Sequence, residues 1–165
     1  MTAYIDGASR GNPGESGFGV IAMLAPDAPA GEDGSPARAD SGAGTDREVE
    51  LYGYLGRATN NRAEYCALLA ALAYARAAGA RTLLVRSDSE LLVKQVKGLY
   101  RVQNEHLKPL HAEAVKQAAR FERFEISHIP RKENKRADRL ANIAVNLKKN
   151  SFPGILPFEK LPFVP

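Results

Sequence analysis

The sequence predicts one α/β domain built on a mixed five-stranded sheet, with three antiparallel strands followed by two parallel strands and with helices on both faces. Three observations predict it. The first third of the chain contains β-forming runs separated by turn residues. The remainder alternates helical runs with short apolar runs, the pattern of parallel strands joined by helical crossovers. A chain of 165 residues is long enough to bury one core without disulfides or metals as staples.

The first three strands are predicted from β-forming residues and turn residues. Residues 2–7 and 18–24 are apolar runs on either side of a turn that contains Pro13 and several glycines. Residues 25–47 are rich in proline, glycine and acidic residues, which predicts a long acidic loop. Residues 48–55 return as the third strand, so this loop extends the tip of a hairpin.

Helices and two further strands are predicted to alternate over the rest of the domain. In order they are a helix from Asn60 or Asn61 to about 78, a strand over 82–86, a helix over 89–97, a helix over 104–121, a strand over 124–129 and a helix capped by Asn134. The first of these helices is almost wholly apolar and should be central. The strand that follows it is continuously apolar, as expected for a parallel strand buried on both faces.

The last residues differ in composition from the domain. Residues 150–165 hold four prolines, which exclude a regular helix, and three phenylalanines, which favour burial. We therefore expect a domain over 1–149 and an extended tail over 150–165 that packs on the domain or trails from it.

Composition limits the class of partner and the compartment. The net charge of +4 favours a polyanionic partner, though only modestly. The single cysteine, Cys66, excludes an intramolecular disulfide and a cysteine-based zinc site, and it fits a reducing cytoplasm. The chain has neither a leader-like start nor a long apolar run. We expect a cytoplasmic monomer with no membrane contact and no obligatory protein partner.

Four acidic residues in distinct local patterns are the strongest functional signal. They are Asp6 in Tyr-Ile-Asp-Gly-Ala-Ser, Glu64 in Asn-Asn-Arg-Ala-Glu, Asp88 in Arg-Ser-Asp-Ser-Glu and Asp138 in Lys-Arg-Ala-Asp-Arg. The predicted topology brings all four to one end of the sheet. Clustered carboxylates repel each other and lose hydration, so a fold tolerates them mainly where cations bind. Such a site on a basic chain points to Mg²⁺-dependent phosphodiester hydrolysis.

Each acid also has a purely structural explanation. Asp6 precedes a glycine and can begin a turn. Glu64 stands three residues after Asn61, which is the spacing of a capping box. Asp88 and Asp138 lie near predicted helix N-termini, where the helix dipole favours acids. The local patterns leave both explanations open for every one of the four.

Together and in this order, the four patterns resemble the type 1 ribonuclease H family over roughly residues 2–147. The resemblance implies a ribonuclease H-like fold and a metal-dependent endoribonuclease that cleaves the RNA strand of RNA–DNA hybrids, leaving 5′-phosphate and 3′-hydroxyl ends. It further implies two Mg²⁺ or Mn²⁺ ions with substrate bound. The residues that the family pattern assigns to catalysis and to the metals are Asp6, Glu64, Asp88 and Asp138.

Further site residues are implied by the same resemblance. His128 matches a family histidine implicated in product release or in activating the attacking water; the alternative is a half-buried strand histidine. The residues expected to contact the hybrid are Gly7, Ala8, Ser9, Asn12, Thr59, Asn60, Asn61 and Glu90. Glu90 stands where many members have glutamine, and an ionised carboxylate only accepts hydrogen bonds and repels phosphate. Because no Trp-containing basic protrusion follows Gly98, the chain resembles the short form of the family.

Two rival functions stay open. A non-catalytic hybrid-binding module would tolerate the loss of an acid, yet all four are present. Another nuclease of the same fold is the second rival; the proofreading type needs a second acid two residues after the first, where this chain has Ala8. The basic residues near the fourth acid are expected to contact phosphates, unless they form a solvated face. They are Arg131, Lys132, Lys135 and Arg136.

Overall fold

The computed structural model describes residues 1–25, 47–156 and 158–163. Within these ranges the strands are β1 (Thr2–Gly11), β2 (Gly14–Leu24), β3 (Arg47–Ala58), β4 (Thr82–Ser87) and β5 (Arg123–His128). The α-helices there are α1 (Asn60–Ala77), α2 (Glu90–Val96), α3 (Lys108–Ala118) and α4 (Lys135–Leu147). The predicted mixed five-stranded α/β fold is confirmed.

The sheet has the strand order β3-β2-β1-β4-β5, so β1 is central. β1 is antiparallel to β2, and β2 to β3, whereas β1 pairs with β4 and β4 with β5 in parallel. The ladder between β1 and β4 ends at Ile5 and Ser87. Asp6 and Asp88 each follow directly after this last pair, so the topology alone places two acids at one end of the sheet.

α1 forms the centre of the core on one face of the sheet. Its residues from Ala63 to Leu72 are all buried, as its apolar sequence predicts. The helix approaches β1 closely at Gly7, where a Cβ atom would lie 2.5 Å from the backbone nitrogen of Glu64. Only glycine permits this approach, and it brings the second turn of α1 against the strand that carries Asp6. No helix in the described ranges is long and apolar enough to cross a bilayer.

α4 covers the opposite face and lies against β2, β1 and β3. Two glycines of β2 allow the contact: a Cβ atom on Gly19 would lie 2.4 Å from the carbonyl oxygen of Ala137, and one on Gly17 would lie 2.9 Å from that of Ala141. The backbone of α4 therefore rests almost directly on the sheet. This close packing fixes the height of the helix that carries Asp138.

The segment after residue 149 is built onto β3. Ser151 exchanges two backbone hydrogen bonds with Tyr52, of 3.2 and 2.9 Å, and the Asn150 side chain accepts one of 2.8 Å from the Tyr54 nitrogen. Aromatic side chains of this segment then pack on β2. We call this set the aromatic cluster; its members are Phe18, Phe152, Phe158 and Phe163. Leu156 and Leu161 are buried with it. The division into a domain and a tail stays a prediction.

The structure differs from the sequence prediction at several element ends. β1 and β2 pair as far as Gly11 and Gly14, so the turn between them is shorter than predicted. α3 starts at Lys108 instead of 104, because the Asn104 side chain accepts a hydrogen bond of 2.8 Å from the backbone nitrogen of His106 and holds a turn there. The acidic loop predicted over 25–47 lies, but for its two end residues, outside the described residues.

Candidate active site

Three of the four predicted acids meet in one place. Asp6 comes from β1, Glu64 from α1 and Asp88 from the residue after β4. Each offers a carboxylate oxygen, and these oxygens all lie within 4.8 Å of one another. We call Asp6, Glu64 and Asp88 the acid cluster. Elements that are far apart in sequence thus converge as the predicted topology requires.

Asp138 reaches the acid cluster from the other face of the sheet. It lies in the first turn of α4 and is half-buried. Its carboxyl interacts with that of Asp6, although it is not among the three groups within 4.8 Å. The Asn142 side chain donates hydrogen bonds to the Asp138 carbonyl oxygen at 2.9 Å and to its Oδ1 at 3.3 Å. Asp138 is therefore a neighbour of Asp6 that α4 holds in place.

Burial dominates the electrostatics of the cluster. The side chains of Asp6 and Glu64 are only 5% and 4% exposed. Burial first, and then the charges of Asp88 and Asp138, raise the pKa of Asp6 to about 8, while a hydrogen bond with Glu64 acts in the opposite direction. The pKa of Glu64 is also raised well above its ordinary value, by burial and then by the charge of Asp6. The protein therefore holds protons here that ordinary carboxyls would release.

The same carboxyls fit a divalent cation. Glu64 Oε2 is buried and has no hydrogen-bond partner among the described residues. A buried oxygen in that state costs free energy unless something positive binds it. The donor set contains oxygen only, which suits a hard ion such as Mg²⁺ or Mn²⁺. The Gly7 nitrogen donates a hydrogen bond of 2.9 Å to Asp6 Oδ1 and orients that carboxyl.

The structural alternatives for Asp6 and Glu64 are wrong. Thr59 is the N-cap of α1, and its hydroxyl accepts a hydrogen bond of 3.2 Å from the Arg62 nitrogen, so Glu64 lies too far into the helix for a capping box. Asp88 directly precedes Ser89, the N-cap of α2, so a dipole contribution is compatible with the structure there. Asp6 pairs with a residue of β2 inside a strand and begins no turn. For Asp138, in the first turn of α4, a dipole contribution remains compatible with the structure.

His128 lies at the rim of the acid cluster. It is the last residue of β5 and stands opposite Ser87 in the parallel register, next to the strand end that leads to Asp88. The side chain is exposed, so the half-buried alternative is wrong. Its role in catalysis stays a prediction.

The predicted hybrid-binding residues lie along the edge of the same end of the sheet. Gly7 is buried and Ala8 and Ser9 are half-buried on β1, whereas Asn12, Thr59, Asn60 and Asn61 are exposed. Asn12 Oδ1 accepts a hydrogen bond of 3.2 Å from the Asn60 nitrogen, which ties the β1–β2 turn to the start of α1. Ser9 Oγ donates to the Ala58 carbonyl oxygen at 3.1 Å. These bonds form one continuous polar edge.

Glu90 forms an ion pair within the protein. It is exposed at the start of α2, and its carboxylate lies 2.7 Å from Lys94 Nζ. Lys94 also donates a hydrogen bond of 3.2 Å to the Tyr100 hydroxyl. The negative charge that distinguishes Glu90 from glutamine is thus partly neutralised within the protein.

Sequence reasoning missed several residues around Thr59. A cavity of about 320 Å³ lies beside it, lined among others by Arg57, Arg62 and Asn104. The two arginines flank Thr59 in sequence, and this clustering was a usable signal. Asn104 is brought in from the segment before α3, and nothing in its local sequence indicates this position.

The expectation that Arg136 contacts phosphate is not supported by its position. Its guanidinium forms an ion pair with Glu48, at 2.8 Å for one of the two bonds, and lies 3.2 Å from the carboxylate of Glu50. These acids belong to β3, so Arg136 ties α4 to the sheet. The other basic residues of this stretch are exposed; they are Arg131, Lys132 and Lys135.

Comparison with known sequences gives consistent matches. The family described as "Reverse transcriptase-like" matches residues 49–144. A ribonuclease HI from Halobacterium salinarum is 38% identical over 144 residues, which cover 87% of this chain and 63% of that protein. The bifunctional protein Rv2228c of Mycobacterium tuberculosis is 38% identical over 146 residues, or 88% of this chain and 35% of that protein. The chain therefore spans less than two thirds of the length of these relatives.

Solved structures match over nearly their full length. The crystal structure of RNase H1 from Halobacterium salinarum has a TM-score of 0.73 and 36% identity, and the match covers 88% of this chain and 96% of that one. LC11-RNase H1 in complex with an RNA/DNA hybrid has a TM-score of 0.70 and 34% identity, covering 89% and 97%.

Proposed function

This chain belongs to the type 1 ribonuclease H family, and we propose that it is an endoribonuclease that hydrolyses the RNA strand of RNA–DNA hybrids. The products would carry 5′-phosphate and 3′-hydroxyl ends. The observation that supports this most is the acid cluster, with carboxylate oxygens of three separate elements within 4.8 Å. A protein that only bound nucleic acid would gain nothing from it, because buried carboxyls destabilise the fold and repel phosphate.

The proposed cofactor is Mg²⁺ or Mn²⁺, with two ions when the hybrid is bound. When bound, the ions would supply the positive charge that lowers the pKa of the attacking water and stabilises the leaving 3′ oxygen. The residues proposed to hold them are Asp6, Glu64, Asp88 and Asp138. The unpartnered Glu64 Oε2 and the raised pKa of Asp6 support this assignment, since both mark carboxyls that lack a compensating positive charge.

The protein's own groups would orient the reaction. The Gly7 amide fixes Asp6 through its hydrogen bond to Oδ1. The exposed imidazole of His128 is free to hold or move a proton near the departing product. We assign the distinction between an RNA 2′-hydroxyl and deoxyribose to the backbone around Ala8 and Ser9, which is half-buried on β1.

The polar edge between the β1–β2 turn and α1 is the proposed contact surface for the hybrid. Amide side chains such as Asn12 and Asn61 donate and accept hydrogen bonds, so they suit base edges and sugars. The cavity beside Thr59 contains two arginines and is proposed to take a backbone phosphate. Because sugars and phosphates are the same at every base pair and minor-groove base edges distinguish the pairs poorly, we propose little sequence preference. The cytoplasmic location and the monomeric state stay predictions.

A cleavage assay tests this proposal. Purified protein is incubated with an end-labelled RNA–DNA hybrid, with matched double-stranded RNA and with double-stranded DNA, each with Mg²⁺ and with excess EDTA. We expect cleavage of the hybrid RNA strand alone, and only with metal. Asp6→Asn should abolish it while the hybrid still binds. Glu122→Gln, which changes an exposed acid paired with Arg81, is the matched control and should cleave normally.

Two results would contradict the proposal. Near-normal turnover by Asp6→Asn, free of wild-type protein, would rule out the acid cluster as the reaction centre. Tight hybrid binding without cleavage under any metal would instead identify a binding module.

A further inference from the structure

Asn134 lies just before α4 and makes a side-chain hydrogen bond to β1 that its position in the sequence does not predict. The sequence predicts it as the cap of α4, yet its side chain makes no capping hydrogen bond. Instead, Asn134 Nδ2 donates a buried hydrogen bond of 2.8 Å to the carbonyl oxygen of Ile5. Ile5 immediately precedes Asp6 and is the last residue of β1 in the ladder with β4. The side chain thus binds the strand at the point where the first acid emerges.

The backbone of Asn134 is held as firmly as its side chain. Its nitrogen donates to the Arg131 carbonyl oxygen at 3.0 Å, and its own carbonyl oxygen accepts from the Asp138 nitrogen at 3.1 Å. Two hydrogen bonds therefore connect the neighbour of Asp6 to the backbone of Asp138, with one residue between them. No other described residue bonds both to β1 beside Asp6 and to the turn of α4 that carries Asp138.

The cost of this arrangement argues against a purely stabilising role. Asn134 is 1% exposed, and its Oδ1 has no hydrogen-bond partner among the described residues. A buried amide that satisfies only one of its two groups is a poor stabiliser compared with an apolar side chain of the same volume. α4 is already fixed on the sheet by its close packing on Gly17 and Gly19. That packing already seats Ala137 of the first turn on Gly19, and the Asn134 bond adds a directional link from this turn to β1 beside Asp6.

We propose that Asn134 is a positioning residue that places Asp138 against the acid cluster and so completes the metal-binding set. The inference rests on the proposed function, because it concerns how Asp138 is placed beside the three residues of the acid cluster. Without the bond to Ile5, only the packing on Gly19 would hold the first turn of α4 beside Asp6, and the Asp138 carboxyl would be placed less precisely. Displacement of a catalytic group by about 1 Å can cost on the order of 100-fold in rate.

The test uses Asn134→Leu, which keeps the volume but removes the donor, and Asn134→Ser, which leaves space for water at the Ile5 carbonyl. Two quantities are measured in the full chain: steady-state cleavage of a labelled hybrid, and the rise in Tm caused by Mn²⁺. The second needs no activity, because a ligand that binds only the folded state raises Tm. Val145→Ala is the control, since it removes buried volume from α4 near its other end.

A double-mutant cycle with Asp138→Asn separates positioning from general destabilisation. We expect Asn134→Leu to lower kcat by about 10- to 100-fold, with KM for the hybrid nearly unchanged. In the Asp138→Asn background the same change should cost much less, because residues that act through one another are not additive. The Mn²⁺-induced rise in Tm should shrink to the value of Asp138→Asn. Val145→Ala should lower Tm but leave both the metal response and kcat intact.

Other outcomes overturn the proposal. Additive losses in the cycle, together with a full Mn²⁺ response in Asn134→Leu and Asn134→Ser, would make Asn134 a structural residue only. If the wild type cleaves no hybrid but its Mn²⁺ response depends on Asn134, then the proposed function fails and the positioning role stands. If Mn²⁺ neither changes the Tm of the wild type nor supports cleavage of the hybrid, both fail.

Discussion

The acid cluster and the aromatic cluster are both buried against the same sheet, but they satisfy opposite physical demands. In the acid cluster, burial leaves Glu64 Oε2 without a partner and raises the pKa of Asp6 to about 8. In the aromatic cluster, Phe18 and Phe163 meet edge to face with ring centres 5.6 Å apart, a favourable geometry. The acid cluster destabilises the metal-free fold and is relieved when a cation binds. The aromatic cluster stabilises the fold and offsets that cost. The two should therefore respond in opposite ways to substitution.

The largest effect is expected from Glu64→Gln. Activity should fall on the order of a thousandfold, about 4 kcal/mol of barrier, because the amide cannot replace a charged ligand. The metal-free protein should meanwhile become more stable by about 1–3 kcal/mol, since the amide has neither a charge to bury beside Asp6 nor a proton to take up on folding. Hybrid cleavage and urea unfolding in EDTA measure the two quantities. Glu105→Gln, at an exposed acid, should change neither; a loss of stability in Glu64→Gln would contradict the comparison.

Leu161→Ala, in the tail, should show the reverse behaviour: a loss of stability without a loss of activity. Leu161 is 2% exposed in the shared core, and truncation of such a residue costs about 2–4 kcal/mol. Ile155 lies in the same segment but is 58% exposed, so Ile155→Ala should stay within about 0.5 kcal/mol of wild type. At a temperature where both are folded, kcat should be unchanged. Equal stability of the two variants would mean that the tail does not pack as described.

A pair of glycine substitutions compares the regions directly. A Cβ atom on Gly7 would lie 2.5 Å from the backbone nitrogen of Glu64, and one on Gly53 would lie 2.5 Å from the ring of Phe18. Overpacking of either kind typically costs about 1–3 kcal/mol. Gly7→Ala should also lower kcat by about 100-fold, because it moves the helix that carries Glu64. Gly53→Ala should leave kcat within twofold; a large loss there would show that the clusters are coupled.

Much of the site was predictable because it depends on the order of strands and helices along the chain and on which residues follow the strand ends. Alternating apolar runs fixed the sheet, and the sheet brings Asp6 and Asp88 together whatever the loops do. Glu64 followed from the family pattern and the other acids, although its local sequence favoured a capping role. Whether Glu64 can form a capping box depends on which residue is the N-cap of α1. The structure shows that it is Thr59, which spacing along the sequence does not identify.

What escaped prediction depends on contacts between residues distant in sequence. The amide of Asn134 bonds Ile5 across 129 positions, and Arg136 pairs with Glu48 across 88. Each has a plausible local role, as a cap or as a free charge, and the tertiary partner overrides it. Likewise, the sequence predicts that the phenylalanines of the tail are buried, but it does not predict where they pack. The structure shows that Gly53 leaves space for them beside Phe18.

The stability of the metal-free protein should fall as pH rises. The folded-state pKa of Asp6 is raised from 3.8 to about 8, so the folded protein keeps a proton that the unfolded chain releases. The stabilisation that comes from this bound proton is complete below the pKa of Asp6 in the unfolded chain. It is lost as the pH rises past the pKa of Asp6 in the folded protein. Between pH 5 and 8 the free energy of unfolding should drop by up to about 1.4 kcal/mol per pH unit. Urea titrations in EDTA measure this slope. Asp6→Asn should reduce it, with the remainder due to the raised pKa of Glu64, while Leu161→Ala should keep it.

The smallest effect is expected at the rim of the site, from Glu90→Gln. Glu90 is exposed and paired with Lys94 at 2.7 Å, so the stability of the protein should be nearly unchanged. Removal of this carboxylate frees Lys94 and weakens repulsion of phosphate. The Kd for a hybrid, measured in Ca²⁺ to prevent turnover, should tighten by about two- to fivefold at low salt, and the gain should disappear at high salt. Lys94→Gln in the same background should reverse it. A gain that persists in high salt would indicate a direct hydrogen bond from the new amide to the hybrid and not the release of a lysine.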